Sequence, residues 1–275
     1  FSKTQVLGGA SGAIIIEGIE RADPQLAGLP ERVLVIRDQD LVNPDAPPSK
    51  FEPVMTKSQL DSDGDVANSG TGFGKPSKDL SINFVPVPYP NYPPARLTMK
   101  PGERQLWRVL NASAITYLNL ALLIGRAPQQ IGIVGLDGVP LQFQGSPSPS
   151  VQWVNHIGLP PGSRAEFIVE GPPAGSSALL VTRAVDTGPA GENDPNRALM
   201  TVTASANADE PQSTLPAHAE PLPRPERPWV GNVAPVHVRK LFFSEQPENP
   251  NDPNSPTKFF MTLEGETPKP FDPQS

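Results

Sequence analysis

The sequence predicts an all-β protein, an antiparallel sandwich or barrel, on two observations. The 37 prolines and 23 glycines make up more than a fifth of the 275 residues. That is too much punctuation for long helices, and it suits short strands joined by turns. Between these residues lie short β-branched or alternating apolar runs with no convincing amphipathic helix among them. Such a succession, without helical interludes, points away from βαβ units.

In chain order the predicted strands are residues 13–17, 32–38, 80–85, 104–111, 116–123 and 130–136, then 151–159, 165–170, 178–184, 199–204, 236–244 and 258–264. Asp137-Gly138 reads as a hairpin turn after the run 131–136, because this dipeptide tolerates positive φ. Pro101-Gly102 and Pro161-Gly162 each precede a strand in the residue order of a type II turn. Residues 44–77 are rich in Pro, Ser, Asp and Gly, so a long surface excursion is expected there. From residue 205 to 235 prolines recur every few positions, which predicts an extended, semi-rigid connector and the main domain boundary.

Composition narrows the function classes. A 37% hydrophobic content over 275 residues supports at least one sizeable core, in one large or two ordinary domains. The formal net charge of -7 with only 22 Lys and Arg leaves no basic surface for nucleic acid or anionic membrane. Apolar runs such as 13–16 and 33–36 are strand-length, far below the ~20 residues that cross a bilayer. The chain opens on Phe1 without the basic and long apolar regions of a signal peptide, so a primary translation start is not expected here. With no cysteine there is no disulfide, zinc thiolate, catalytic thiol or thiolate-bound copper from these residues.

Several segments, in order, resemble multicopper oxidases of the laccase type. The run Gly12-Ala13-Ile14-Ile15-Ile16-Glu17-Gly18, within residues 4–18, is similar to the segment that closes the first cupredoxin domain of that family. Arg32-Val33-Leu34-Val35-Ile36-Arg37-Asp38 then resembles the first strand of the second domain. Pro101-Gly102-Glu103-Arg104-Gln105-Leu106-Trp107-Arg108-Val109-Leu110-Asn111 resembles a further second-domain strand, and Gly135-Leu136-Asp137-Gly138-Val139-Pro140 its hairpin. Leu159-Pro160-Pro161-Gly162-Ser163-Arg164-Ala165-Glu166-Phe167 completes that set. After the connector, Val238-Arg239-Lys240-Leu241-Phe242-Phe243-Ser244 and Phe259-Phe260-Met261-Thr262-Leu263 resemble opening strands of the third domain.

The resemblance implies a cupredoxin-like Greek-key sandwich or barrel, with strand remnants of its neighbours. The expected layout is a first-domain remnant at 1–20, the second domain at 21–204 with its surface loop 44–77, a linker at 205–235 and third-domain strands at 236–275. In the family the first-domain segment directly follows a His-X-His copper motif. The type 1 copper lies in the third domain between two His and one Cys, and the trinuclear cluster draws His from the first and third domains. None of those motifs is present. The implied parent oxidises phenolic or similar substrates at one copper and reduces dioxygen to water at the cluster, and is secreted or periplasmic. Independently of the family, a blue copper site needs a thiolate with two imidazoles, and a cluster needs many more imidazoles than the three His of this sequence.

The candidate residues are accordingly weak. His156 lies in a strand run, His218 in the connector and His237 before the strand near Val238, with no two close enough in sequence for a local metal motif. Asp61-Ser62-Asp63-Gly64-Asp65 has alternating acids like a calcium loop, but Val66 and Gly72 stand where such a loop needs Gly and Glu. Gly70-Thr71-Gly72-Phe73-Gly74 lacks the Lys and Ser/Thr of a phosphate cradle, and no Ser sits in a nucleophile elbow. Trp107, Trp153, Phe242, Phe243, Phe259 and Phe260 read as core or interface anchors. No catalytic, cofactor-binding or metal-ligating residue is therefore assigned. Copper is expected only in the intact parent, and the expected partners are its missing parts or other copies joined through exchanged or edge-paired strands. The competing expectation is a stand-alone, non-catalytic β-sandwich binding module.

Overall fold

The computed structural model describes residues 3–46, 75–141, 150–185, 187, 192–209, 211, 213–218, 220, 234, 236–252, 255 and 257–269. Those up to 220 belong to one compact unit and those from 234 onward to a second.

The first unit contains β1 (Pro30–Gln39), β2 (Asp79–Ile82), β3 (Val85–Val87), β4 (Ala95–Met99), β5 (Arg104–Asn111), β6 (Leu118–Ile124), β7 (Ala127–Gln129) and β8 (Ile131–Leu136). It continues with β9 (Val139–Pro140), β10 (Gln152–Val154), β11 (Ile157–Leu159), β12 (Arg164–Glu170), β13 (Ser177–Thr182), β14 (Arg197–Ala204) and β15 (Ser213–Thr214). One sheet of nine strands runs β10-β8-β12-β5-β1-β2-β3, with β15 paired to β1 and β9 to β8. The other, of six strands, runs β11-β6-β13-β14-β4, with β7 paired to β6. Most pairs are antiparallel, but β1 lies parallel to β5 and β14 parallel to β4.

The period of two along each strand sends alternate side chains between the sheets. Leu34 and Ile36 of β1, Trp107 and Val109 of β5 and Phe167 and Val169 of β12 pack against Leu118, Leu120 and Leu122 of β6, Leu180 of β13 and Val202 of β14. The Trp107 and Phe167 rings are tilted with centroids 6.3 Å apart, and the indole Nε1 donates to Gln105 Oε1 at 3.2 Å. Each such fully buried large side chain contributes about 1.5–3 kcal/mol.

Two buried polar side chains fix the crossing from the first sheet to the second. Asp38, at the end of β1, accepts from the backbone N–H groups of Ala114, Ile115 and Thr116 at 2.8, 2.9 and 3.1 Å, and from Thr116 Oγ1 at 3.2 Å. Asn111, at the end of β5, donates to the carbonyls of Thr116 and Leu159 and accepts from Ser113 N–H. The backbone N–H groups of residues 112–116 in this non-helical turn are all paired.

The turn readings hold. Asp137 and Gly138 have φ of 50° and 81°, as a two-residue hairpin of the right twist requires. Gly102 and Gly162 have φ of 67° and 81°, and the closing bonds run from Glu103 N–H to Lys100 O and from Ser163 N–H to Pro160 O, both 3.1 Å.

Other expectations are corrected. Residues 13–17 have no regular secondary structure and pair with no strand among the described residues. Residues 3–7 form a short helix, α1 (Lys3–Leu7), and Ile19–Ala22 a second, α2. The run 151–159 divides into β10 and β11, which belong to different sheets, because the chain changes sheet at Asn155-His156. The run 80–85 divides at Asn83 and Phe84, whose φ values of 45° and 66° turn β2 into β3.

Of the predicted surface excursion 44–77, residues 47–74 lie outside the described residues; at its end Pro76 and Ser77 are buried, with Ser77 N–H donating to Asn193 O at 3.1 Å and Asn193 N–H to Ser77 Oγ at 2.7 Å. The connector 205–235 is not free at its start, since β15 pairs with β1 and Leu215 is buried with its N–H on Leu29 O at 3.1 Å.

In the second unit, β16 (Leu241–Pro247) and β17 (Thr257–Leu263) form an antiparallel hairpin in which Leu241, Phe243 and Glu245 stand opposite Leu263, Met261 and Phe259. Residues 236–240 precede β16 rather than belonging to it.

Two substitutions test this account. Asp38→Ala leaves four donors unpaired in the interior and is expected to cost more than about 3 kcal/mol in urea melts. A Cβ at Gly171 would lie 2.3 Å from Lys100 O. Gly171→Ala is therefore expected to cost ~1–3 kcal/mol, and a neutral result at either position contradicts the described packing.

Candidate functional site

The outward side chains of the nine-stranded sheet follow from register. Glu31 and Val33 stand beside Leu106 and Arg108, and Arg108 stands opposite Glu166. At one end of this face Ile19, Leu26, Leu106, Val134, Ile168 and Leu215 form a small second cluster. Beside it runs a groove of about 610 Å³, walled by residues 12–18 and floored by Val33, Arg108 and Leu110. The wall is apolar and uncovered: Ile14 is 91% and Ile16 76% exposed.

A charged triad crosses the floor. Arg108 Nε lies 3.0 Å from Glu31 Oε1 and Nη1 lies 3.8 Å from Glu166 Oε1, with all three side chains largely buried. Burial pushes the Glu166 carboxyl above the usual carboxylate range, and Arg108 and Arg164 only partly oppose it. Glu166 Oε2 has no hydrogen-bond partner among the described residues. It sits where Gly135 leaves room, 2.7 Å from the position a Cβ there would occupy.

Among the described residues the groove is lined by no Ser, Thr, Cys, His, Lys or Tyr. Its walls are apolar, and its floor holds one under-satisfied carboxyl. The triad lies in strands already singled out, but its pairing was missed. Its signal was charged residues at outward positions of otherwise apolar strands.

The sequence-predicted candidates are scattered. His156 is exposed on the other sheet, its Nδ1 3.0 Å from Asn119 Oδ1. His218 and His237 are exposed. Among the described residues no three His, Asp, Glu or Cys are grouped as a metal ion would require, so these side chains do not fit a copper centre. Asp61 to Asp65 and Gly70 to Gly74 lie outside the described residues. Trp107 is core, whereas Trp153 is 47% exposed with Arg104 6.0 Å from its ring centroid. Phe242, Phe243 and Phe259 are exposed, not core. No helix among the described residues is long and apolar enough to cross a membrane.

A second polar centre, unforeseen in the sequence, ties the edge of the six-stranded sheet. Asp194 Oδ1 pairs with Arg197 Nη2 at 3.0 Å, both buried, and Arg197 Nη1 donates to Lys78 O at 2.6 Å. Burial pushes the Asp194 carboxyl up to about 6, against the pull of Arg197.

No protein-family model and no curated protein sequence matches the chain. By structure it is similar to the 2F4 variant of the McoA multicopper oxidase from the hyperthermophile Aquifex aeolicus, with TM-score 0.50 and 19% identity over 80% of this chain and 43% of that one. The fold is cupredoxin-like. A multicopper oxidase from Pseudomonas thermotolerans matches at TM-score 0.46 and 19% identity, over 82% of this chain and 44% of its own. Fet3p, a multicopper oxidase that functions in iron import, matches at TM-score 0.44 and 14% identity, over 85% and 38%. The chain spans less than half the length of these structures. At this identity the likeness establishes the fold alone.

The raised Asp194 group gives a pH signature. It binds its proton more tightly folded than unfolded, so its contribution is full below pH 3.8 and is lost as pH rises through about 6. Across that window the native chain is expected to lose on the order of 3 kcal/mol relative to Asp194→Asn. Parallel slopes of stability against pH for the two proteins contradict this.

Proposed function

We propose that the chain is the central, catalytically silent part of a laccase-like multicopper oxidase whose copper ions are held by residues outside this sequence. One observation carries the reading: a cupredoxin-like fold shared with McoA over 43% of that enzyme's length. The composition supports it, since three His and no Cys cannot furnish a blue copper and a cluster. On this reading the parent couples one-electron oxidation of phenolic or similar substrates to the reduction of dioxygen to water, in a secreted or periplasmic setting. This chain supplies the scaffold between the copper-bearing domains.

The uncovered apolar surfaces then have a role. Ile14, Ile15 and Ile16 are the wall on which the first domain's sheet is completed, and the apolar face of β16–β17 begins the third. A hairpin alone is marginal in water, so such a face needs a sheet to join. Without the rest of the parent, these segments pair with the same segments of another copy. A second reading, a self-contained binding module, is favoured by the complete two-sheet core of the first unit.

Three measurements decide between them. The gene is expected to encode a His-X-His pair in frame ahead of Phe1, and its product to have an intact mass well above 29.4 kDa. A start codon and signal directly ahead of Phe1 favour the module instead. The chain alone, loaded with copper, is expected to stay colourless and not to turn over phenols with dioxygen; thiolate-to-copper absorption or sustained turnover refutes the silent role. In light scattering at micromolar concentration it is expected to form dimers or larger species that Ile14→Asp and Ile16→Asp dissociate, and a monodisperse monomer counts against strand pairing.

A further inference from the structure

The outer face of the six-stranded sheet carries a second groove, of about 540 Å³, on the opposite side of the core from the first. Its floor is low because short side chains are adjacent in register: Val181 pairs with Ala121 on one side and Ala198 on the other. Arg126, from the turn after β6, and Arg183, just beyond β13, border it, and both are exposed. Neither guanidinium makes a hydrogen bond or ion pair among the described residues. His156 borders this groove and also a neighbouring hollow of about 480 Å³. Its Nδ1 lies 3.0 Å from Asn119 Oδ1, which fixes the ring at the groove's margin.

We propose that this trough binds a small aromatic carboxylate or sulfonate. Among the described residues, no Asp or Glu lines either hollow, although the chain as a whole has a formal net charge of -7. Two unpaired guanidiniums over an apolar floor, in an acidic protein, are not a by-product of general basicity. They complement an anion carried on an apolar body. A flat ring suits a sheet floor of Ala and Val, while planar guanidinium groups present paired donors to a carboxylate or sulfonate. The volume falls in the usual range of small-molecule sites, about 300–1,000 Å³. Two arginines are far too few for a nucleic-acid surface, and a trough without carboxylates does not suit a hard cation.

The imidazole of His156 gives a local readout that the apolar surfaces elsewhere on the chain do not disturb. In NMR titrations of the full chain, with the His156 ring signal assigned through His156→Asn, benzenesulfonate is expected to shift that signal saturably and to leave His218 and His237 unmoved. Benzyl alcohol, the same ring without the charge, is expected to produce no saturable shift. In R126E/R183E the affinity for benzenesulfonate is expected to fall about tenfold or more, the scale of one lost charge-assisted hydrogen bond. R126Q/R183Q, which removes the charges without reversing them, is expected to fall in the same direction. No saturable shift at His156, an equal response to benzyl alcohol, or unchanged affinity in either double variant overturns the proposal.

Discussion

Everything in the first unit hangs on how the chain leaves one sheet and enters the other after β5. A sandwich stores its stability between two sheets, yet the link between them must bend, and a bend strips backbone groups of their ladder partners. Asp38 resolves this at the end of β1 by taking the N–H groups of residues 114–116, and Asn111 does so at the end of β5 by bonding the carbonyls of Thr116 and Leu159. One acid and one amide thus tie β1, β5, β6 and β11 together. A charge buried among three amide donors and a hydroxyl is stable only while that geometry lasts, so the same residues that permit the crossing also specify it.

The two outer faces of the sandwich have contrasting chemistry, although the same strand periodicity builds both. On the nine-stranded sheet the groove has apolar walls around a largely buried triad in which one guanidinium, Arg108, faces two carboxyls, Glu31 and Glu166. On the six-stranded sheet the outward residues are small or apolar, and the guanidiniums at the margin are uncompensated.

Much of this was legible in the sequence, for reasons that can be named. The turns at Asp137-Gly138 and Pro161-Gly162 were readable because positive φ leaves few residue choices, and the strands with β-branched alternation were readable because burial enforces a period of two. Residues 13–17 show the limit: Ile14, Ile15 and Ile16 have strand propensity, but a strand is defined by its neighbour, which these residues do not have here. The division of 151–159 between two sheets was invisible because each half alternates correctly on its own. The Arg108 triad was missed because register, not local pattern, brings its members together; Asp194 and Arg197 are only three residues apart, but nothing in their local pattern marks them as buried. His156 was legible as an exposed strand residue, but the trough beside it depends on Ala121, Val181 and Ala198 meeting from three strands.

The triad bears most directly on what the first face is for. Taking three charges out of water costs several kcal/mol per ion, and their attraction offsets this only when every remaining donor and acceptor is satisfied. Here two are not: Arg108 Nε and Glu166 Oε2 are buried without a hydrogen-bond partner among the described residues, and the Glu166 carboxyl is held above the ordinary range by burial. A surface meant to face solvent would gain by turning the carboxyl outward, since nothing in a free sheet face obliges Glu166 to stay under Gly135. The arrangement becomes economical when a further layer covers the groove. The layer lowers the local dielectric, which strengthens the Arg108 pairs, and any donor it brings to Oε2 satisfies that acceptor. The exposed isoleucines beside the triad are apolar for the same reason. On the proposed reading the groove is the inner side of a contact, and its energetics close when that contact is made.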